Sequence, residues 1–171
     1  MQNLFEILGL PVQFPLDLKT LEGAYFTAQR ACHPDRFVGK PEAERIAAIT
    51  RSQMVNDAYE TLKDPPRRAE HLLELQGIFI LGEEAEASPT ILMEMMELRE
   101  QVADAGKSGV ELARIIDDIK ERAKLTTQEI ERAFELKDYD VAGEESVRLH
   151  YLGKAMEEAY MLVHRLKVAH A

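Results

Sequence analysis

The sequence predicts an all-α protein: an antiparallel helical hairpin with short flanking helices, followed by a C-terminal three-helix bundle. Three observations carry this. Apolar residues recur three and four apart, as at Val55, Ala58, Tyr59 and Leu62, the mark of a helix with one face in a core. The recurrence is interrupted at Gly9 and Pro11, at His33-Pro34, at Asp64-Pro65-Pro66 and at Gly77, where the backbone cannot continue a helix. Hydrophobic residues make up 46% of the chain but aromatic ones only 6%, which suits helical units with small cores. At 171 residues there is room for one domain or two small ones.

The elements follow in order. Asn3 is placed to cap a first short helix, with Glu6 completing a capping-box pattern. Leu4, Ile7 and Leu8 give it an apolar side. Asp17 can cap a second helix, in which Leu18, Leu21, Tyr25 and Ala28 recur at core spacing. A third follows Pro41 and runs to Leu62. A short fourth, Arg67 to Gln76, sets Ala69, Leu72, Leu73 and Gln76 on one side. These stripes build a core and carry no chemistry of their own.

The turn between the second and third helices is different. A residue before proline is driven out of the α region, so the second helix must end near Cys32. Pro34 stiffens the loop, and Asp35 and Arg36 put opposite charges at its tip. His33-Pro34-Asp35 between two helices resembles the J-domain, which uses this tripeptide to switch on the ATPase of a DnaK-class chaperone. Val55-Asn56-Asp57-Ala58-Tyr59-Glu60-Thr61-Leu62-Lys63-Asp64-Pro65, followed by Arg67 and Arg68, is similar to the ending of the J-domain's third helix. The resemblance implies a chaperone contact through His33, Pro34 and Asp35, with Arg30 and Arg36 beside them. It also shows a departure. The J-domain's second helix is usually strongly basic, whereas this one offers Lys19 and Arg30, with Arg36 just beyond and Glu22 opposing. Long-range charge steering is expected to be weak, and the chaperone a specialised one.

Past Gly77, the apolar Ile78-Phe79-Ile80-Leu81 is expected to tuck against a neighbour, and the acidic Glu83-Glu84-Ala85-Glu86 to be solvated. Ser88 caps a new helix with Pro89 in the favoured first position. Three helical segments follow, at 88–105, 109–137 and 139–168, joined by short connections that make neighbours antiparallel. The middle one turns Leu112, Ile115, Ile116, Ile119, Ala123, Ile130 and Phe134 to the core. The last turns Val147, Tyr151, Ala155, Ala159, Leu162 and Leu166 the same way. The domain division expected is 1–76, a connector at 77–87, and a bundle at 88–171.

The helix from Ser88 is too apolar for one buried stripe. At about 100° per residue, Ile91, Met95, Leu98, Val102 and Ala105 cluster on one side. Leu92, Met93 and Met96 fall nearly opposite, flanked by Glu97, Glu100 and Asp104. Either the second set is an exposed, methionine-built partner surface, or the helix is buried on two sides between the domains.

Leu92-Met93-Glu94-Met95-Met96-Glu97-Leu98-Arg99-Glu100 is similar to the segment by which HscB-type co-chaperones hold the IscU-type scaffold protein of iron–sulfur cluster assembly. Arg68-Ala69-Glu70-His71-Leu72-Leu73 and Arg148-Leu149-His150-Tyr151-Leu152 also resemble that family. The likeness runs the whole length. It implies that Leu92, Met93, Met96, Glu97, Glu100, Asp104 and Tyr151 contact the scaffold. The family's usual residues at 96 and 104 are leucine and glutamate, so Met96 and Asp104 are departures.

Other classes fare poorly. Residues 1–72 carry a net charge of −1 and residues 73–171 one of −9, within the whole chain's −10. A net-acidic chain repels phosphate backbones, so nucleic acid is not an expected partner. No apolar run reaches membrane-span length, and the start, Met1-Gln2-Asn3-Leu4-Phe5, has no basic n-region, so no signal peptide is expected. The single cysteine, Cys32, rules out an intrachain disulfide and fits a reducing compartment, taken as cytoplasmic. His33, His71, His150, His164 and His170 make no metal-ligand spacing, and no glycine loop would cradle a phosphate. No metal or cofactor is expected, and no enzyme. The expectation is a co-chaperone adaptor joining an HscA-type chaperone ATPase to an IscU-type scaffold. The alternatives are a J-domain adaptor for another client, or a helical structural protein whose His-Pro-Asp is accidental.

Overall fold

Helix boundaries follow the capping residues. The computed structural model describes residues 2–80 and 87–169, and every regular element among them is helical. Asn3 opens α1 (Leu4–Leu8), its side chain accepting from the Phe5 N–H at 3.0 Å. Its amide donates to the Glu6 carboxylate at 3.1 Å, so Glu6 serves the cap side chain and not, as a capping box has it, the cap backbone. Gly9, at φ +67°, closes the helix in the left-handed conformation. Asp17 caps α2 (Leu18–Cys32) by accepting from the Thr20 N–H at 2.9 Å, which holds its carboxyl below the usual range. A 3₁₀ turn, Pro34–Phe37, leads to α3 (Glu42–Lys63).

Pro65 and Pro66 end α3 and also begin α4 (Pro65–Leu75), two residues ahead of the expected start at Arg67. A missing N–H costs nothing in a first turn, where no intrahelical partner exists. In the second unit Ser88 caps α5 (Pro89–Asp104), and a 3₁₀ turn, Ala105–Lys107, precedes α6 (Gly109–Leu136) and α7 (Tyr139–Ala169). Lys137 closes α6 with φ 58°, its N–H directed to the carbonyls of Ala133 and Phe134. Left-handed backbone costs a non-glycine residue about 1 kcal/mol, and the two satisfied carbonyls offset it.

The chain divides into two compact units, Met1–Ile78 and Phe79–Ala171. In the first, Phe5, Leu21, Val55, Ala58, Leu62 and Leu73 are fully buried. Leu18, expected on the core stripe, is exposed; it occupies the first turn of α2, and Phe14 from the preceding loop fills the core instead. Gln76 is exposed as well, because it is the residue at which α4 ends. Two polar side chains lie inside. Arg68 donates to the Leu62 carbonyl at 2.7 Å and stacks over the Phe14 ring at 4.9 Å. His71 Nε2 accepts from the Leu4 N–H at 3.1 Å and its ring stacks on Phe5. Burial lowers the pKa of both groups.

In the second unit Ile91, Leu98, Val102, Leu112, Ile119 and Leu152 make a buried apolar centre between three helices. Each such side chain contributes about 1.5–3 kcal/mol on burial. A charged network closes one side. The Glu94 carboxylate of α5 takes Arg148 of α7 and lies 3.8 Å from Arg122 of α6. Arg148 also holds Glu145 at 3.1 Å, and Arg122 holds Asp118 at 2.8 Å. Burial raises the Glu145 carboxyl, against the pull of Arg148. Ahead of α5, Phe79 does not tuck in. It is 72% exposed, lying before the first helix that could carry it onto a core. Leu81 of the apolar run, and the acidic run expected to be solvated, Glu83-Glu84-Ala85-Glu86, are outside the described residues.

Two candidate interaction surfaces

The first surface is the tip of the α2–α3 hairpin. Its orientation is fixed by contacts between the two helices. Tyr25 stacks on Tyr59 with ring centres 4.4 Å apart, and its hydroxyl donates to the Asn56 side-chain Oδ1 at 3.1 Å. Gln29 donates to the same oxygen and accepts from the Ser52 hydroxyl at 3.1 Å. A stacked aromatic pair adds about 0.5–1.5 kcal/mol and each hydrogen bond about 1 kcal/mol.

On this base the His33-Pro34-Asp35 turn is held by its own bonds. His33 Nδ1 accepts from the Asp35 N–H at 3.3 Å. In the neutral ring that leaves the proton on Nε2, directed away from the turn. Arg36 donates to the Arg30 carbonyl at 2.8 Å, tying the turn to the last residues of α2. The side chains of His33 and Asp35 remain 53% and 86% exposed. The structure therefore brings His33, Pro34, Asp35, Arg30 and Arg36 together at one rigid, solvated corner. Sequence reasoning missed Phe26. It is exposed, and with Tyr25, Gln29, Arg30, His33 and Arg36 it lines a shallow hollow of about 680 Å³. Phe26, Arg30 and His33 are spaced i, i+4, i+7, a helical face that could have been read from sequence.

The second surface is on α5. Ile91, Met95, Leu98 and Val102 are buried. Leu92, Met93 and Met96 are 42%, 65% and 64% exposed. Of the two possibilities left open by periodicity, the second face is exposed. Glu97, Glu100 and Asp104 are exposed beside it. Tyr151, half-buried on α7, meets α5 at a groove it shares with Met95 and Arg99. A run of flexible thioethers on one helix face makes an adaptable apolar contact surface.

Among the described residues there is no cluster of three potential metal ligands, and no helix is long and apolar enough to cross a membrane.

Similarity to known proteins assigns the family. Residues 3–71 match the model of the DnaJ domain, and residues 87–160 that of the HSCB C-terminal oligomerisation domain. The chain is 36% identical over 167 residues to the co-chaperone protein HscB of Proteus mirabilis (strain HI4320), covering 95% of this chain and 96% of that protein. The chain belongs to the HscB co-chaperone family. Solved HscB structures share its fold. Chaperone HscB from Vibrio cholerae superposes with a TM-score of 0.87 at 32% identity, over 96% of this chain and 99% of that one. The human co-chaperone protein HscB gives 0.87 at 30%, over 94% and 82%. This member of the HscB family is thus a J-domain co-chaperone, all-helical, with a J-domain first and a C-terminal helical domain after it. Such a protein partners with a chaperone.

Proposed function

We propose that this protein is a non-enzymatic, cytoplasmic adaptor that stimulates the ATPase of an HscA-type chaperone and delivers an IscU-type iron–sulfur scaffold to it. Residues 1–76 face the chaperone, 77–87 connect, and 88–171 hold the scaffold. His33, Pro34 and Asp35 make the activating contact, with Arg30 and Arg36 beside them. Leu92, Met93 and Met96 are the apolar centre of the scaffold contact, Tyr151 adds an aromatic edge, and Glu97, Glu100 and Asp104 form its charged margin. The observation that carries this reading is the exposed apolar face of α5 in a chain of the HscB family. The mechanism is tethering. Two weak contacts held on one chain raise each other's effective concentration, so the scaffold arrives at the chaperone as hydrolysis is triggered.

The test is an ATPase assay on an HscA-type chaperone with this protein, with and without an IscU-type scaffold. Synergy of the two supports the proposal. Stimulation that the scaffold leaves unchanged points to a different client, and no stimulation removes the chaperone assignment.

A further inference from the structure

Beside the exposed face of α5 runs a groove of about 460 Å³ whose charge is opposite to that of its surroundings. Met95 and Ala155 are buried beneath it, and Tyr151 and Leu162 form half-buried walls. Arg99, Lys154 and Arg165 line it against Glu157 and Glu158, leaving a net of +1 in a half of the chain that carries −9. Arg99 and Glu158 satisfy each other at 3.2 Å. Lys154 lies over the Tyr151 ring, 5.7 Å from its centre. Neither Lys154 nor Arg165 has a carboxylate within 4 Å among the described residues.

The position of the groove gives these cations a meaning. Taking about 100° per residue along α5 from Leu92, Arg99 falls near −20°, Met96 near +40°, Glu100 near +80°, Met93 near +100°, Asp104 near +120° and Glu97 near +140°. Arg99 therefore borders the apolar strip on one side, Asp104 and Glu97 lie past Met93 on the other, and Glu100 falls between Met96 and Met93. The cationic groove opens on the side of Arg99, toward α7. Tyr151, which the proposed function assigns to the scaffold contact, lines the groove. A surface patterned in this way distinguishes the two ends of whatever it binds, since the reversed pose would place like charges together.

We propose that the groove is a second half of the client site, in which Lys154 and Arg165 receive an acidic segment of the client, carboxylates beside an apolar residue. This rests on the scaffold reading above and adds to it the chemistry and direction of docking. The apolar residue enters over Met95 and Leu162 while the carboxylates meet Lys154 and Arg165, and docking is fixed in one orientation. Both cations retain solvent contact until the client arrives, so their contribution is screened by salt.

The experiment is calorimetric titration of the whole 171-residue chain with a purified IscU-type scaffold, at low and at physiological salt. Lys154→Glu/Arg165→Glu should weaken binding at least tenfold and flatten its salt dependence, with circular dichroism and melting temperature unchanged. Lys154→Gln/Arg165→Gln, which adds no repulsion, should lose several-fold. Affinity within twofold of the parent for both doubles would overturn the groove assignment. The alanine triple at Leu92, Met93 and Met96 separates the two claims. If it abolishes binding while the doubles do nothing, only the groove fails. If the triple also binds normally, the scaffold reading fails with it.

Discussion

His71 makes its fold-holding bond in one protonation state only. Its Nε2 accepts from the Leu4 N–H, so the proton of the neutral ring is on Nδ1, 3.7 Å from Glu74. Burial lowers its pKa below the ordinary 6.5, with Glu74 opposing. The unfolded chain then binds the proton more readily than the folded one. Stability is complete above the unfolded value, falls as pH drops below about 6.5, and levels off below the depressed folded value. Melting temperature measured from pH 7.5 to 5 should fall through this window. His71→Gln keeps an acceptor for Leu4 without titrating, and should flatten the slope. His33 is the opposite case, exposed and bonded only within its own turn. His33→Gln should abolish chaperone ATPase stimulation with circular dichroism and melting unchanged. Undiminished stimulation would reject the role given to His33. The two histidines also show what sequence can reveal. Pro34 announces the turn at His33 through local sterics. Nothing local announces His71, whose partner Leu4 is 67 residues away. Arg68 was hidden for the same reason, since the Phe14 ring it stacks on is remote in sequence.

Among the elements, α5 turns one face to the core and another to solvent. Replacing Leu92, Met93 and Met96 together by alanine should change melting temperature little, because alanine is a strong helix former and the three are exposed. Scaffold affinity should fall steeply, since a few central apolar residues dominate most interfaces. Were they core residues, each truncation would cost about 2–5 kcal/mol and the bundle would melt far earlier. Melting and affinity measured on the same variant separate the two cases. Both faces were legible from helical period alone, but whether the second was covered as well was not, because coverage depends on what packs over it. The groove beside Tyr151 was illegible for the same reason: Arg99 and Glu158 meet only when α5 lies on α7. The tie of α5 to its neighbours through Glu94, Arg148 and Arg122 likewise joins residues far apart in sequence.

The molecule as a whole carries its charge unevenly, −1 over residues 1–72 and −9 over residues 73–171. The hairpin has few cations on α2, and Phe26 lies exposed among those near His33. Its association with the chaperone should therefore depend only modestly on ionic strength, although Arg30→Glu should still weaken it. Stopped-flow association rates across a salt series check this, and a steep fall between low and physiological salt would contradict it. The order of the two units was readable from sequence because each kept its own helical periods and stop signals. Leu18 and Phe79 were misplaced because periodicity says which residues are apolar, not where a helix runs out of neighbours.

The methionines of α5 carry a chemical consequence. Met93 and Met96 stand in solvent while Met95, between them in sequence, is buried. Sulfoxide formation follows access, and it replaces a soft apolar side chain by a polar one. Brief peroxide treatment followed by peptide mass spectrometry should therefore find Met93 and Met96 oxidised well before Met95. Treated protein should bind scaffold more weakly without melting earlier, and sulfoxide reductase should restore it. The same helix would then carry a record of oxidant exposure on the face proposed to meet the scaffold.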